Sequence, residues 1–218
     1  MSTLTQPLIR SLAQSLRPAA SLFVVMTLVT GLAYPLLVTG ISQTVMPDLA
    51  NGSLLYRMDK PIGSNLIGQS FTNPAYLWGR PSATSPTPYN GQASGGSNLG
   101  PLNPDLEKAV QGRIDALHKA DPTNTAPVPI DLVTTSASGL DPNITPNAAQ
   151  YQVGRIAAAR GLTVTQVQAA IDRATSERQI GLFGELRVNV LQVNIALDQL
   201  APIPASVVAS HAVTGSKS

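Results

Sequence analysis

The run PAASLFVVMTLVTGLAYPLLVTGISQTVMP, Pro18 to Pro47, decides the architecture, because thirty consecutive residues carry no charged side chain. At about 1.5 Å per residue such a run makes a helix of roughly 45 Å, enough for the hydrocarbon core of a bilayer and both interfaces. Leu22, Phe23, Val24, Val25, Leu28, Val29, Leu32, Leu36, Leu37, Val38 and Ile41 each favour insertion, for a sum of roughly 3–6 kcal/mol. A cleaved secretory signal has a shorter apolar region, about 7–15 residues, ending in a small-x-small site. Ala33-Tyr34-Pro35 is a poor cleavage site, so the run reads as a retained anchor. Pro35 removes one backbone donor and predicts a kink or local break.

Arg10 and Arg17 precede the run with no acidic residue before them, whereas Asp48, Arg57, Asp59 and Lys60 follow it. That asymmetry predicts residues 1–17 in the cytoplasm, 18–47 in the membrane and the remainder across it. Thr27, Gly31, Tyr34 and Pro35 share about one helical face, where small or hydroxylated side chains let a partner helix approach closely.

With 218 residues, 43% hydrophobic and 12% charged, the chain supports one soluble domain beyond the anchor. Its net charge of +2 is spread over scattered basic residues and aromatics are only 4%, a pattern that argues against nucleic acid as a partner. The absence of cysteine excludes disulfides, thiolate metal sites and cysteine catalysis.

The domain is expected over residues 48–200, with a disordered tail over 201–218. Turn signals at Asn51-Gly52, Asn73-Pro74 and Asn90-Gly91 predict short strands and ordered loops over 51–104. Leu66-Ile67-Gly68-Gln69-Ser70-Phe71 and Tyr76-Leu77-Trp78 read as the apolar pieces that tie these loops to the core. Asn103 and Pro104 open a helix running to about His118. Val128, Ile130 and Leu132 alternate as an edge strand. Thr145 and Pro146 start a second helix, which stops at Gly161; Thr163 with Gln166 forms a capping box for a third. The segment 188–200 reads as a short strand followed by a helix capped by Asn189. The fold class is therefore α+β: one N-terminal transmembrane helix, then a mixed extracytoplasmic domain.

Little in the chain suggests chemistry. Its two histidines, His118 and His211, have no ligand-spaced neighbours, and no metal or cofactor is expected. The run Ser94-Gly95-Gly96-Ser97-Asn98-Leu99-Gly100 has the glycines of a phosphate loop but lacks the Gly-Lys-Ser/Thr that would reach a phosphate and its magnesium. Ser136, Ser138 and Asp141 have no base beside them in sequence, and an Asx- or Ser-type turn accounts for them. An anchored hydrolase using Ser136 or Ser138, and a solute-binding module, remain the alternatives on residue type alone.

The loops have an unusual wording: Gly63-Ser64-Asn65-Leu66-Ile67-Gly68-Gln69-Ser70-Phe71, Trp78-Gly79-Arg80-Pro81-Ser82-Ala83, Tyr89-Asn90 and Ser94 to Pro101. It continues, in order, through Val128 to Thr134, Ser136 to Ile144, Tyr151-Gln152-Val153 with Arg155, Ala159-Arg160-Gly161 and Arg187-Val188-Asn189-Val190-Leu191. This ordered set resembles one family, the C chain (KdpC) of the bacterial high-affinity, ATP-driven potassium transporter. Family members often have an acidic residue where Gln192 stands and usually end near Leu200, so the tail carries no inherited role. The resemblance implies a non-catalytic accessory subunit of a P-type ATPase complex in the bacterial inner membrane. Its partners would be the potassium-translocating subunit and the ATP-hydrolysing subunit, with the domain on the periplasmic side. It also implies a catalytic chaperone that raises nucleotide affinity; with ATP across the membrane, that effect would run through the helix or the first 17 residues. The polar, weakly charged loops suit wet contacts to a partner, with Gln69, Arg80, Asn90, Ser97, Asn98, Ser138, Asp141 and Arg155 as the candidate contact residues.

Overall fold

A computed structural model describes residues 5–178 and 180–203, with side chains from Gln14 onward. The described residues fall into two compact units that part between Ser53 and Leu54.

In the first unit, helix α1 (Thr5–Leu28) passes through a π-helical turn (Val29–Ala33) into α2 (Tyr34–Val45), and a single turn, α3 (Pro47–Ala50), follows. The 32 residues from Gln14 to Val45 are long and apolar enough to cross a membrane, and none of that span is buried. Phe23, Leu36 and Leu37 are all exposed, so the helix is apolar all round and suits lipid or neighbouring helices, not one packed face. Pro35 explains the π turn. Its nitrogen cannot donate to the carbonyl of Gly31 and its ring would strike that oxygen; the wider turn relieves both, and the Tyr34 amide bonds back to the carbonyl of Val29. Thr30 and Thr44 donate their hydroxyls to Met26 and Gly40 carbonyls at 2.7 and 2.9 Å, which satisfies both polar side chains within the helix. At its end Gln43 and Asn51 exchange two amide hydrogen bonds of 3.2 and 3.0 Å, and Asn51 also donates to Pro47.

The second unit opens with a hairpin, β1 (Leu54–Arg57) against β2 (Lys60–Ser64), turned by Met58 and Asp59, both at positive φ. An irregular stretch leads to α4 (Pro104–Ala120), then a 3₁₀ turn (Ile130–Leu132), β3 (Asn143–Ile144), α5 (Pro146–Tyr151), α6 (Val153–Arg160) and α7 (Val164–Arg173). Strands β4 (Thr175–Ser176) and β5 (Arg187–Asn189) and helix α8 (Val190–Leu200) complete it. The sheet order is β3-β5-β4, all antiparallel, and the central Val188 pairs with both Ile144 and Thr175. Around it lies the core: Leu77, Leu117, Ile156, Val167, Ile171, Val193 and Leu197 are each at most 5% exposed.

The caps act as their sequences predict. Asn103, Thr145 and Asn189 accept from the amides of Asp105, Ala148 and Gln192, and Thr163 with Gln166 closes a reciprocal box. Gly161 ends α6 in the left-handed region, where a Cβ would be strained. Two elements differ from expectation. Residues 128–133 are not a strand: Pro129 offers no amide to a ladder, and its carbonyl together with that of Ile130 accepts from Leu132, Val133 and Thr134, winding the segment into a 3₁₀ turn. Alternation misled because Leu132 and Val133 are adjacent and both buried, while Ile130 is 71% exposed. The single helix read over 146–160 is broken at Gln152 (φ −97°, ψ −6°), whose amide turns back tightly onto the Ala149 carbonyl. The tail residues 204–218, His211 among them, lie outside the described residues.

Candidate functional site

The irregular stretch between β2 and α4 needs anchors, since a chain without a ladder leaves its amides and carbonyls to be satisfied one by one. Leu77 is fully buried, and its backbone is paired by a side chain. Asn194 on α8 accepts from the Leu77 amide at 2.8 Å and donates to the Leu77 carbonyl at 3.0 Å. Gln152 treats Trp78 the same way, at 2.9 and 3.1 Å. Two buried amides thus replace a missing neighbour strand.

Arg155 reinforces this arrangement. Its guanidinium donates to the carbonyls of Pro74 and Tyr76 and to Gln152 Oε1, and stacks 4.3 Å above the Trp78 ring. Only 5% of the residue is exposed, and burial pushes its pKa down to about 10. Arg160 holds the neighbouring turn through Ala75 and Ala201 carbonyls, the Asp198 carboxylate at 3.0 Å and the Tyr76 ring.

A second cluster forms where residues 80–100 meet 135–141. Ser82 donates to the Gly139 carbonyl and accepts from the Tyr89 amide; Ser94 Oγ and the Gly95 amide both bond the Ser138 carbonyl. The Tyr89 hydroxyl donates to the Arg80 carbonyl at 2.5 Å, and burial followed by the nearby Asp141 charge pushes its pKa up to about 12. Arg80 stands 3.6 Å from Asp141 and donates to the Thr135 carbonyl. The packing is close at glycines. A Cβ on Gly68 would collide with the Tyr89 ring and lie 2.7 Å from the Asp141 carbonyl oxygen; one on Gly139, at φ +67°, would lie 2.7 Å from the Gly95 oxygen.

Of the predicted contact residues, Arg80, Asn90, Ser97, Ser138 and Asp141 belong to this cluster, with Asn98 beside it at positive φ. Ser138 and Asp141 make the expected turns, each accepting from the amide two residues on. Gln69 instead bonds the Ile62 carbonyl at 2.7 Å in the hairpin. Arg155 lies in the interior, so as a partner contact it is corrected: its charge is engaged by three groups of its own domain. Sequence reading missed Gln152 and Asn194, although a polar residue in register with Leu191 and Leu197 on an apolar helix face was the available signal. Among the described residues, no three His, Asp or Glu side chains gather as a metal site.

One apolar span, followed by an α+β domain whose buried polar groups brace its surface loops, fits a single-pass membrane subunit. Residues 16–199 match the family model described as K+-transporting ATPase, c chain, and the chain belongs to that family. It is 60% identical over 190 residues to a potassium-transporting ATPase KdpC subunit of Polaromonas naphthalenivorans, covering 87% of this chain and 97% of that one. The KdpC subunit of Herpetosiphon aurantiacus is 59% identical over 184 residues, covering 84% and 95%. That of Dechloromonas aromatica is 59% identical over 186 residues, covering 85% and 97%.

Proposed function

We propose that this chain is a non-catalytic accessory subunit of an ATP-driven potassium uptake complex in a bacterial inner membrane. Residues 18–47 are its anchor, with residues 1–17 cytoplasmic and residues 48–200 periplasmic. It stabilises the assembly of the potassium-translocating and ATP-hydrolysing subunits. The observation that carries this reading is the way polar groups are used: in both loop clusters they hold loop backbone in one shape, the requirement of a preformed contact surface. The relatives named above support the choice of complex. Any rise in nucleotide affinity reaches the ATPase subunit through the helix or the cytoplasmic residues, because the domain faces away from ATP.

Deleting the chain should abolish growth at limiting potassium, and an intact copy should restore it. In spheroplasts, added protease should remove residues 48–200 and spare the N-terminus. Potassium-limited growth without the chain, or a protected domain, would overturn the assignment.

A further inference from the structure

A hollow of about 900 Å³ opens in the second unit where the end of α4 and residues 123–129 face α5 and α6. Pro74, Pro127, Pro129 and Ala158 give it apolar walls, and Asp121 and Arg155 bring opposite charges to it. Arg155 is 5% exposed, and every acceptor it bonds is neutral: the Pro74 and Tyr76 carbonyls and Gln152 Oε1. Those bonds use three of the five N–H donors of a guanidinium. Asp121 ends α4, where the helix dipole adds to its negative charge, and its carboxylate accepts from the Thr123 hydroxyl at 2.9 Å. Among the described residues neither Asp121 nor Arg155 has an ion pair within 4.0 Å. Burial lowers the Arg155 pKa while the Asp121 charge holds it up, so each lies in the field of the other. Tyr151 lines the same hollow, and its buried hydroxyl has no hydrogen-bond partner, where such a group is ordinarily satisfied.

We infer that this hollow binds a small zwitterion, a free α-amino acid with an apolar side chain, its ammonium on Asp121, its carboxylate on the unused donors of Arg155 and its side chain against the prolines. The charges select this class. A simple cation would meet the buried arginine, and a simple anion would meet Asp121 and the negative end of α4. A molecule that carries both charges close together satisfies the two residues at once and gives the buried guanidinium the counter-charge it lacks. An apolar enclosure with a few fixed polar groups is the usual form of a small-molecule site. The site stands on this geometry and not on the subunit reading, so either can fail alone.

The test titrates the full-length chain in detergent with L-leucine, L-proline and L-phenylalanine by isothermal calorimetry. At least one should bind saturably at one site per chain. The corresponding carboxamides and N-acetyl derivatives, each missing one of the two charges, should bind at least about tenfold more weakly, the scale of one lost charged hydrogen bond. Asp121→Asn, which keeps an acceptor for Thr123, should weaken binding by a similar factor. Gly154 lines the hollow, and a Cβ added there meets nothing within 4 Å; Gly154→Leu should therefore fill the space and abolish binding. Both variants should melt no lower than the wild-type chain without ligand, which separates loss of the site from loss of the fold. No saturable binding of any of the three up to about 10 mM, wild-type affinity in Gly154→Leu, or equal affinity for a derivative lacking one charge overturns the inference.

Discussion

Asn194 pairs with both backbone groups of Leu77, accepting from its amide at 2.8 Å and donating to its carbonyl at 3.0 Å across 117 positions of sequence. One side chain on the last helix thereby stands where a neighbouring strand would, and the loops that follow Leu77 take their position from it.

Asn194→Leu keeps the volume and removes both partners. It should lower the stability of the domain by about 2–4 kcal/mol, because two buried groups each lose a bond worth about 1–3 kcal/mol once left unsatisfied. Denaturant melts of the detergent-solubilised chain measure this, and a change under about 0.5 kcal/mol, the scale of a neutral surface substitution, would contradict it.

Local chemistry was legible before the structure, and long-range chemistry was not. Asn103, Thr145, Thr163 and Asn189 cap helices with atoms two or three residues away, so residue type and spacing sufficed. Pro35 likewise announced an interruption, and the structure adds its form, a π turn. The role of Gln152 could not be read, because its partner Trp78 is 74 positions away. Ile130 and Val133 exchanged their expected places for a similar reason: the 3₁₀ turn overrode alternation over a stretch too short to resist it. For the candidate site, the sequence named most of the loop residues that cluster but placed Arg155 outside, since a guanidinium bound by carbonyls leaves no trace in spacing.

Gly139 and Gly100 give a matched comparison. Gly139→Ala should destabilise by about 1–3 kcal/mol, through positive φ and close approach to the Gly95 oxygen. Gly100→Ala meets nothing within 4 Å and should stay within about 0.5 kcal/mol of wild type. Equal melting of the two variants would contradict the interlocked-loop description.

Tyr89 sets an alkaline limit. Its hydroxyl titrates near pH 10.0 in the unfolded chain and about 12 in the fold, so the folded state retains the proton longer. The stabilisation is complete below pH 10 and is lost as pH rises to about 12, and after solvent screening it is on the order of 1–2 kcal/mol. Arg155, lowered to about 10 by burial, acts in the opposite sense over this range, so the comparison is made against Tyr89→Phe. That variant should be less stable at neutral pH, yet lose less stability between pH 10 and 12. An unchanged slope would contradict the assignment.

In the anchor, Gly31→Leu fills the face shared with Thr27, Tyr34 and Pro35. Membrane insertion should be retained, since leucine favours the bilayer, while recovery of the assembled complex falls several-fold. Full recovery would show that this face packs against lipid only.

The most direct measurement is affinity purification of the tagged full-length chain from its own membranes in mild detergent, with the co-eluting chains identified by mass spectrometry. The account predicts a P-type ATPase chain and a multi-span potassium-translocating chain in fixed ratio to it. Elution of this chain alone, from membranes in which both others are present, would contradict it.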